Sequence, residues 1–213
     1  MPPTRVKICG LTRLADAELA AELGAWAVGM VFYEGSPRCC PLGEAEAIGV
    51  ALRRRVEIVG VFVNAPLEEV VRVSEQVGLT LVQLHGEEGP AFCAEVARRT
   101  GARTIKAVSV RGLFTVRDLQ RFHTDFHLLD GHAAGQRGGT GQRFDWSLVA
   151  SRRSKRPLIV GGGLDAECVG AAIAATDPYA VDVSSGVEVA PGIKDPLLMQ
   201  AFFEAAAAQT RVA

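Results

Sequence analysis

The stretch Val6-Lys7-Ile8-Cys9-Gly10, near the start of the chain, is a short β-prone run that ends in a reactive side chain and a glycine. A segment with helical periodicity follows it, and Thr12 is the expected N-cap of that helix. α/β proteins place catalytic groups in this way, on a strand that ends in a polar residue, turns on a glycine and leads into a helix. Cys9 is therefore a candidate functional residue, although a lone cysteine in a strand is usually a small buried hydrophobe.

The alternation of β-prone runs and helical segments continues along all 213 residues. The predicted strands are 5–9, 26–32, 57–63, 80–85, 103–109, 126–130, 157–161 and 180–184. The predicted helices are 14–23, 42–54, 67–77, 90–100, 112–122, 145–150, 165–175 and 196–208. Eight strands, each followed by a helix, predict a single (β/α)8 TIM barrel domain spanning residues 1–213. An open doubly wound sheet is the alternative, but regular units without a composition break favour the barrel.

The composition is that of a globular protein and excludes several classes. Hydrophobic residues make up 48% of the chain, enough for a large core, and the formal net charge of -1 gives no basic field for nucleic acid. The five cysteines are odd in number and form no C-x-x-C, which fits neither a disulfide framework nor a zinc site. Without a signal-peptide or membrane-spanning pattern, we expect a soluble cytoplasmic protein with no membrane or nucleic-acid partner.

In a barrel of this type, chemistry takes place at the C-terminal ends of the strands, so the polar residues there are the candidates. In chain order they are Cys9, Arg38, Asn64, Gln83, His85, Asp130, Gly161-Gly162-Gly163 and Ser184-Ser185-Gly186. The last two turns are expected to lead into helix N-termini, where backbone N–H groups and the helix dipole favour an anion. They could be plain tight turns, but their place after strands 7 and 8 favours a phosphate site.

Asp130 ends an apolar run, so its carboxyl should be partly desolvated, which raises a carboxyl pKa and suits a general acid. An ordinary cap or loop aspartate is the alternative. The glycine-rich segment 131–142 that follows is typical of a lid over substrate. Arg38 is a candidate clamp for a carboxylate, or else a solvated surface residue.

Other ionisable residues have a structural interpretation. Lys7 and Asp182 should face the interior from neighbouring strands and pair there as structural supports, because a lone buried charge is very costly. His85 could also point inward, and a satisfied core histidine is a better interpretation than a ligand. The spacing of His127, Asp130 and His132 matches no usual metal set, so no metal is predicted.

Nine motifs occur in order: Lys7-Ile8-Cys9-Gly10, Ser36-Pro37-Arg38, Val82-Gln83-Leu84-His85-Gly86, Leu128-Leu129-Asp130, Gly138-Gly139-Thr140-Gly141, Phe144-Asp145-Trp146, Gly162-Gly163-Leu164, Asp182-Val183-Ser184-Ser185-Gly186-Val187-Glu188 and Gly192-Ile193-Lys194-Asp195. This set resembles the phosphoribosylanthranilate isomerase family of tryptophan biosynthesis. The resemblance covers essentially the whole chain, and the ordered set is much more specific than any single motif. In two places the chain departs from the family: segment 131–137 is individual, and Gln142 and Arg143 stand where a lysine is often seen.

The resemblance implies a cofactor-free Amadori rearrangement of N-(5-phosphoribosyl)anthranilate to 1-(2-carboxyphenylamino)-1-deoxyribulose 5-phosphate. It assigns Asp130 as the general acid that protonates the ring oxygen, Cys9 as the general base that takes the C2 proton, and Arg38 as the holder of the anthranilate carboxylate. Further substrate contacts are expected from Gln83, His85, Gly139 and Thr140. Phosphate contacts are expected from Gly162, Gly163, Leu164, Ser184, Ser185 and Gly186. A monomer is expected, with a homodimer possible.

Three alternatives share parts of this pattern. A dual-substrate sugar isomerase would use two aspartates, and Cys9 argues against it. A pentose-phosphate epimerase would need metal-binding histidines and aspartates at the strand tips, and that set is missing from the sequence. A barrel that only binds a phosphorylated ligand would keep the two late turns but would not need both Cys9 and Asp130.

Overall fold

The computed structural model of the chain describes residues 4–131 and 144–210. Eight parallel strands pair in sequence order and close into a barrel, with the first strand bonded to the eighth. The strands are Arg5–Cys9 (β1), Ala27–Phe32 (β2), Glu57–Phe62 (β3), Leu81–Leu84 (β4), Arg103–Ser109 (β5), Phe126–Asp130 (β6), Leu158–Val160 (β7) and Ala180–Val183 (β8). The closed barrel confirms the predicted fold and excludes the open sheet.

Helices surround the barrel. They are Leu14–Glu22 (α1), Leu42–Leu52 (α2), Leu67–Val77 (α3), Pro90–Thr100 (α4), Leu113–Asp118 (α5), Val169–Thr176 (α6) and Pro196–Thr210 (α7). The predicted helix 145–150 is a 3-10 helix, Trp146–Ser151, and α5 continues as a 3-10 turn, Leu119–Arg121. Within the described ranges, no helix is both long and apolar enough to cross a membrane.

The strands separate two apolar layers, because successive side chains of a strand point to opposite faces. The interior layer includes Val61, Leu81, Ile105 and Leu128, and the layer between strands and helices includes Ile8. Both layers are almost completely buried. Burial on both faces is the usual environment of a parallel sheet, and it leaves the strand ends as the place for polar side chains.

Three rings fill the interior at the N-terminal end of the strands. Trp26, Phe126 and Tyr179 pack with centroid distances of 5.3 to 5.5 Å, in tilted and edge-on geometries. The Arg5 guanidinium lies 4.3 Å above the Tyr179 ring. We call these three rings the aromatic floor, and they close the end of the barrel opposite the predicted chemistry.

The N-cap of α1 and the segment after β8 also differ from the sequence prediction. Arg13, not Thr12, is the N-cap of α1, and it makes no side-chain capping bond; the Thr12 hydroxyl instead donates to the Gly192 carbonyl oxygen at 2.6 Å. A short antiparallel hairpin, Glu188–Ala190 (β9) and Ile193–Lys194 (β10), follows β8 and was not predicted. The hairpin brings Lys194 back to the ends of the barrel strands.

Candidate active site

A pocket of about 700 Å³, counting space open to solvent, lies at the C-terminal ends of the strands. Its lining residues are Cys9, Val31, Tyr33, Ser36, Arg38, Val61, Val63, Gln83, His85, Asp130, Gly162, Gly163, Leu164, Asp182, Ser184 and Ser185. Most of the predicted site residues therefore meet in one cavity. Gly186 is not among the lining residues, and Gly139 and Thr140 lie outside the described residues, as does most of the predicted lid.

Cys9 ends β1 and is 8% exposed. Burial raises the pKa of the Cys9 thiol above its ordinary value; the Lys7 ammonium partly offsets this increase, and the Asp182 carboxylate adds to it. The thiol form is therefore favoured at neutral pH in the free protein. Lys7 is the strongest of the nearby cations that favour the thiolate.

Lys7 and Asp182 form an ion pair of 2.8 Å, directly across the β1–β8 register. Burial alone would lower the pKa of Lys7, but Asp182 and Cys9 outweigh it and leave that pKa raised, so the lysine stays charged. Gly29, opposite Cys9 on β2, leaves room for this arrangement. A Cβ at Gly29 would lie 3.0 Å from Cys9 Sγ and 3.3 Å from Lys7 Nζ. Sequence reasoning missed this glycine, because nothing in its local pattern signals the cross-strand contact.

Asp130 ends β6 and is 6% exposed. Burial raises the pKa of its carboxyl to about 7, and repulsion from Asp182 acts in the same direction. The His85 Nε2 atom lies 3.5 Å from Asp130 Oδ2, and burial lowers the pKa of His85 to about 4. Near neutral pH, a neutral imidazole thus faces a carboxyl group that still holds its proton in a large fraction of molecules.

Two buried polar atoms belong to residues that line the pocket with this carboxyl. His85 Nε2 and Gln83 Oε1 make no hydrogen bond to another residue in the described part of the chain. His85 lies in the pocket wall, so the interpretation of a satisfied core histidine is wrong. A buried polar atom that lacks a partner is costly, and this cost is removed when a polar ligand binds in the pocket.

Arg38 is held inside the pocket rather than on the surface, with its side chain 12% exposed. Its guanidinium makes a two-pronged contact with Glu188, with Nε–Oε1 at 3.0 Å and Nη2–Oε2 at 2.7 Å. The alternative of a solvated surface arginine is therefore wrong. The Nη1 edge makes no hydrogen bond to the described residues, and it can take a ligand carboxylate.

The turn after β7 has positive φ at Gly162 and Gly163, of 84° and 65°. A Cβ at Gly162 would collide with the backbone nitrogen of Gly131, so only glycine fits there. Successive residues in such conformations form a concave array of N–H groups that suits an anion. The turn does not lead directly into a helix as predicted, because α6 begins at Val169.

The turn after β8 packs on the preceding one. A Cβ at Gly186 would collide with the carbonyl oxygen of Leu164, which explains the glycine as a packing requirement. Ser184 and Ser185 line the pocket and lead into a 3-10 helix, Ser185–Val187. The two turns thus form one continuous wall of the pocket. Within the described residues, no group of three or more histidine, cysteine, aspartate or glutamate side chains is arranged to hold a metal ion.

Comparisons with known proteins agree with this architecture. Residues 6–205 match the family model described as N-(5'phosphoribosyl)anthranilate (PRA) isomerase. The N-(5'-phosphoribosyl)anthranilate isomerase of Pseudomonas putida strain W619 is 49% identical over 207 residues, covering 96% of this chain and 98% of that protein.

Two solved structures show the same fold at substantial identity. The phosphoribosyl anthranilate isomerase of Thermus thermophilus matches with a TM-score of 0.88 and 39% identity, covering 96% of this chain and 99% of that one. A phosphoribosyl anthranilate isomerase in complex with reduced 1-(o-carboxyphenylamino)-1-deoxyribulose 5-phosphate matches with a TM-score of 0.82 and 40% identity, at the same coverage. The chain belongs to the N-(5'-phosphoribosyl)anthranilate isomerase family.

Proposed function

We propose that Cys9 and Asp130 carry out the reaction of this family in the pocket at the strand ends, as general base and general acid. The reaction is the isomerisation of N-(5'-phosphoribosyl)anthranilate in tryptophan biosynthesis, an aldose–ketose conversion. One observation supports the assignment above the others: a thiol and a carboxyl of raised pKa line the same pocket, at the ends of β1 and β6.

Asp130 acts first. Its proton passes to the furanose ring oxygen as the bond between that oxygen and C1 breaks, and the anthranilate nitrogen supplies the electron pair that forms the C1=N bond. A carboxyl group with a pKa of about 7 suits this step, because a catalytic acid works best when its pKa is near the working pH. The neutral His85 imidazole, 3.5 Å away, can then donate a hydrogen bond from its Nε2–H to the carboxylate that remains.

Cys9 acts second. Its thiolate takes the proton from C2, and the electron pair of that C–H bond forms C1=C2 while the C1=N electrons return to nitrogen. The resulting enolamine becomes the ketone by proton transfer, so no net oxidation occurs and no cofactor is required. The Lys7 ammonium beneath the thiol favours the thiolate, and the positive iminium of the intermediate acts in the same direction.

The substrate has an anion at each end, and the pocket offers a place for both. The free edge of Arg38 receives the anthranilate carboxylate, since guanidinium groups bind carboxylates in a planar, two-pronged manner. The wall formed by Gly162, Gly163, Leu164, Ser184 and Ser185 receives the phosphate, and Gly186 supports that wall from behind.

Gln83 and His85 contact the opened ribose between the two anions, because both line the pocket and His85 Nε2 lies 3.5 Å from Asp130 Oδ2. The proposal keeps substrate contacts for Gly139 and Thr140, and a supporting role for the Lys7–Asp182 pair. The proposal assigns each of these roles to a residue of the same chain, and it keeps a monomer as the expected state, with a homodimer possible.

The experiment is a fluorescence assay that follows the loss of N-(5'-phosphoribosyl)anthranilate, made in situ, with a chelator present and no added nucleotide. The wild type is expected to turn over the substrate. Binding without turnover would reject the catalytic assignment in favour of a barrel that only binds a phosphorylated ligand.

A further inference from the structure

Two parts of the pocket that lie far apart in the chain, the tip of β1 and the turn after β8, are joined by one side chain. Lys194, on β10, is fully buried. Its Nζ donates to the Cys9 carbonyl oxygen at 2.6 Å, to the Ser184 carbonyl oxygen at 3.1 Å and to Glu188 Oε1 at 2.8 Å. An ammonium group has three donors, so this geometry uses its full capacity. Lys194 therefore joins the tip of β1 to the turn after β8.

Glu188 extends this link to Arg38. Its carboxylate is 4% exposed and accepts from both Arg38 and Lys194. Burial alone would raise the pKa of Glu188, but these two cations outweigh it and leave the pKa lowered, so the carboxylate is ionised. A continuous chain of charged contacts runs from the Cys9 carbonyl through Lys194 and Glu188 to the guanidinium of Arg38.

The hairpin that carries Lys194 is itself fixed. The Lys194 backbone N–H donates to Asp16 Oδ2 at 3.0 Å, which ties β10 to α1. Gly192 at the hairpin turn accepts a hydrogen bond from Thr12. The ammonium is therefore delivered to the site by a rigid support rather than by a free loop.

We propose that Lys194 is a positioning residue of the isomerase, which fixes Cys9, the turn after β8 and, through Glu188, Arg38 relative to one another. Its positive charge also acts to lower the pKa of the Cys9 thiol, less strongly than that of Lys7. The inference rests on the proposed function, because it assumes the roles of Cys9 and Arg38. Ion pairs that are buried contribute little net stability, although the loss of one partner is strongly destabilising. The arrangement is therefore better explained by precise placement of the site than by stability.

The chain offers a matched control in a second buried pair. Lys106 is 2% exposed and bonds to Glu88 Oε2 and to the Gly86 carbonyl oxygen, both at 2.8 Å. It reproduces the chemistry of Lys194, a buried ammonium shared between a carboxylate and a main-chain carbonyl. It makes no contact with Cys9 among the described hydrogen bonds.

The first test compares Lys194→Met with Lys106→Met in the absence of substrate. The pH dependence of Cys9 alkylation by iodoacetamide is measured, with the modified cysteine located by mass spectrometry. Both variants should unfold at a lower urea concentration than the wild type. Only Lys194→Met should shift the pH midpoint of Cys9 alkylation, upward by at least about half a pH unit. A folded Lys194→Met protein with the wild-type midpoint would overturn the inference.

The second test uses Glu188→Gln, which keeps the Lys194 ammonium beside Cys9 and loosens Arg38. We expect the KM to rise at least about tenfold with kcat changed less than about threefold, because Arg38 binds the carboxylate of the substrate and of the transition state equally. The Cys9 midpoint should be no higher than in the wild type. An unchanged KM would overturn the inference, and this variant decides the question if Lys194→Met does not fold. A wild type without turnover would reject the proposed function, while the alkylation experiment would still test Lys194.

Discussion

The two ends of the barrel interior are built from opposite chemistry. At the N-terminal end, the aromatic floor of Trp26, Phe126 and Tyr179 packs rings against one another. At the C-terminal end, the same interior holds Asp130 and the Lys7–Asp182 pair, together with polar atoms that have no hydrogen-bond partner among residues 4–131 and 144–210. One closed sheet thus encloses both an apolar plug and a group of buried charges.

The difference shows how the fold separates stability from chemistry. Rings in contact remove apolar surface from water and stabilise the folded state. A carboxyl whose pKa is raised to about 7 by burial does the reverse, because its charged form is less favourable in the folded protein than in water. The catalytic end is therefore expected to reduce stability, and the floor offsets part of that cost.

The largest expected effect is on turnover, from changes at the catalytic end. Asp130→Asn and Cys9→Ala should each lower kcat by roughly a hundredfold to ten-thousandfold, the usual contribution of a positioned acid or base. The matched control is Cys93→Ala, a buried cysteine on α4 outside the pocket, which should keep kcat within about threefold. A Cys9→Ala protein with nearly full turnover would reject the thiol as the base.

The next effect is on stability, from a change in the floor. Phe126→Ala should lower the free energy of unfolding by about 3–5 kcal/mol, the range for large-to-small aromatic substitutions in cores. Urea unfolding measures this loss, and kcat per folded molecule should stay close to that of the wild type. A fall in kcat comparable to that of Asp130→Asn would contradict the separation of the two ends.

A third effect is the pH dependence of stability. Between about pH 4 and 7, Asp130 in the unfolded chain ionises while the folded protein keeps the proton, so stability falls as pH rises and levels off above 7. The shift from 3.8 to about 7 corresponds to about 4 kcal/mol, which Asp130→Asn should recover at pH 8 but not at pH 4.

Urea unfolding of both proteins across this range tests the prediction. The lowered pKa of His85 makes stability rise with pH below about 6.5, opposite to the effect of Asp130. This contribution is common to both proteins and cancels in the difference between their free energies of unfolding. A constant difference between the two proteins would show that the folded-state pKa of Asp130 is not raised.

The smallest effect is in the shape of the pH–rate profile. Catalysis needs a protonated Asp130 and an ionised Cys9, yet the pKa of the acid, about 7, lies below that of the thiol. In the wild type, kcat/KM should therefore rise about tenfold per pH unit up to about 7 and then stay level until the thiol titrates, because gains in thiolate match losses of the acid. A decline that begins at pH 7 would place the thiol pKa below that of Asp130.

The barrel could be predicted from the sequence because its signals are local. The apolar runs of β1, β5 and β6 end where the structure ends them, and the glycine-led turns mark the loops. The direction of Lys7 and Cys9 into the interior likewise follows from the two-residue period of a strand. The position of Cys9 and Asp130 at strand ends then needs only the general architecture of the barrel.

The rest depends on contacts between distant segments. Lys194 has no local signal of burial, because a lysine before a helix is ordinarily exposed, and its environment exists only once the unpredicted hairpin folds back. The role of Glu188 depends on its ion pair with Arg38, and the need for glycine at position 29 depends on Cys9 on the neighbouring strand. Neither partner is close in sequence. The prediction of Thr12 as the N-cap of α1 is wrong because its hydroxyl donates to the Gly192 carbonyl oxygen instead of capping the helix.

The most direct test of the roles of Asp130 as acid and Cys9 as base is the deuterium isotope effect on kcat/KM, measured with substrate deuterated at C2 of the ribose. In Cys9→Ser, removal of the C2 proton should limit the rate, so we expect an effect clearly larger than in the wild type. In Asp130→Asn, ring opening should limit the rate and the effect should be close to unity. The opposite pattern, with a large effect in Asp130→Asn and none in Cys9→Ser, would contradict the assignment of acid and base.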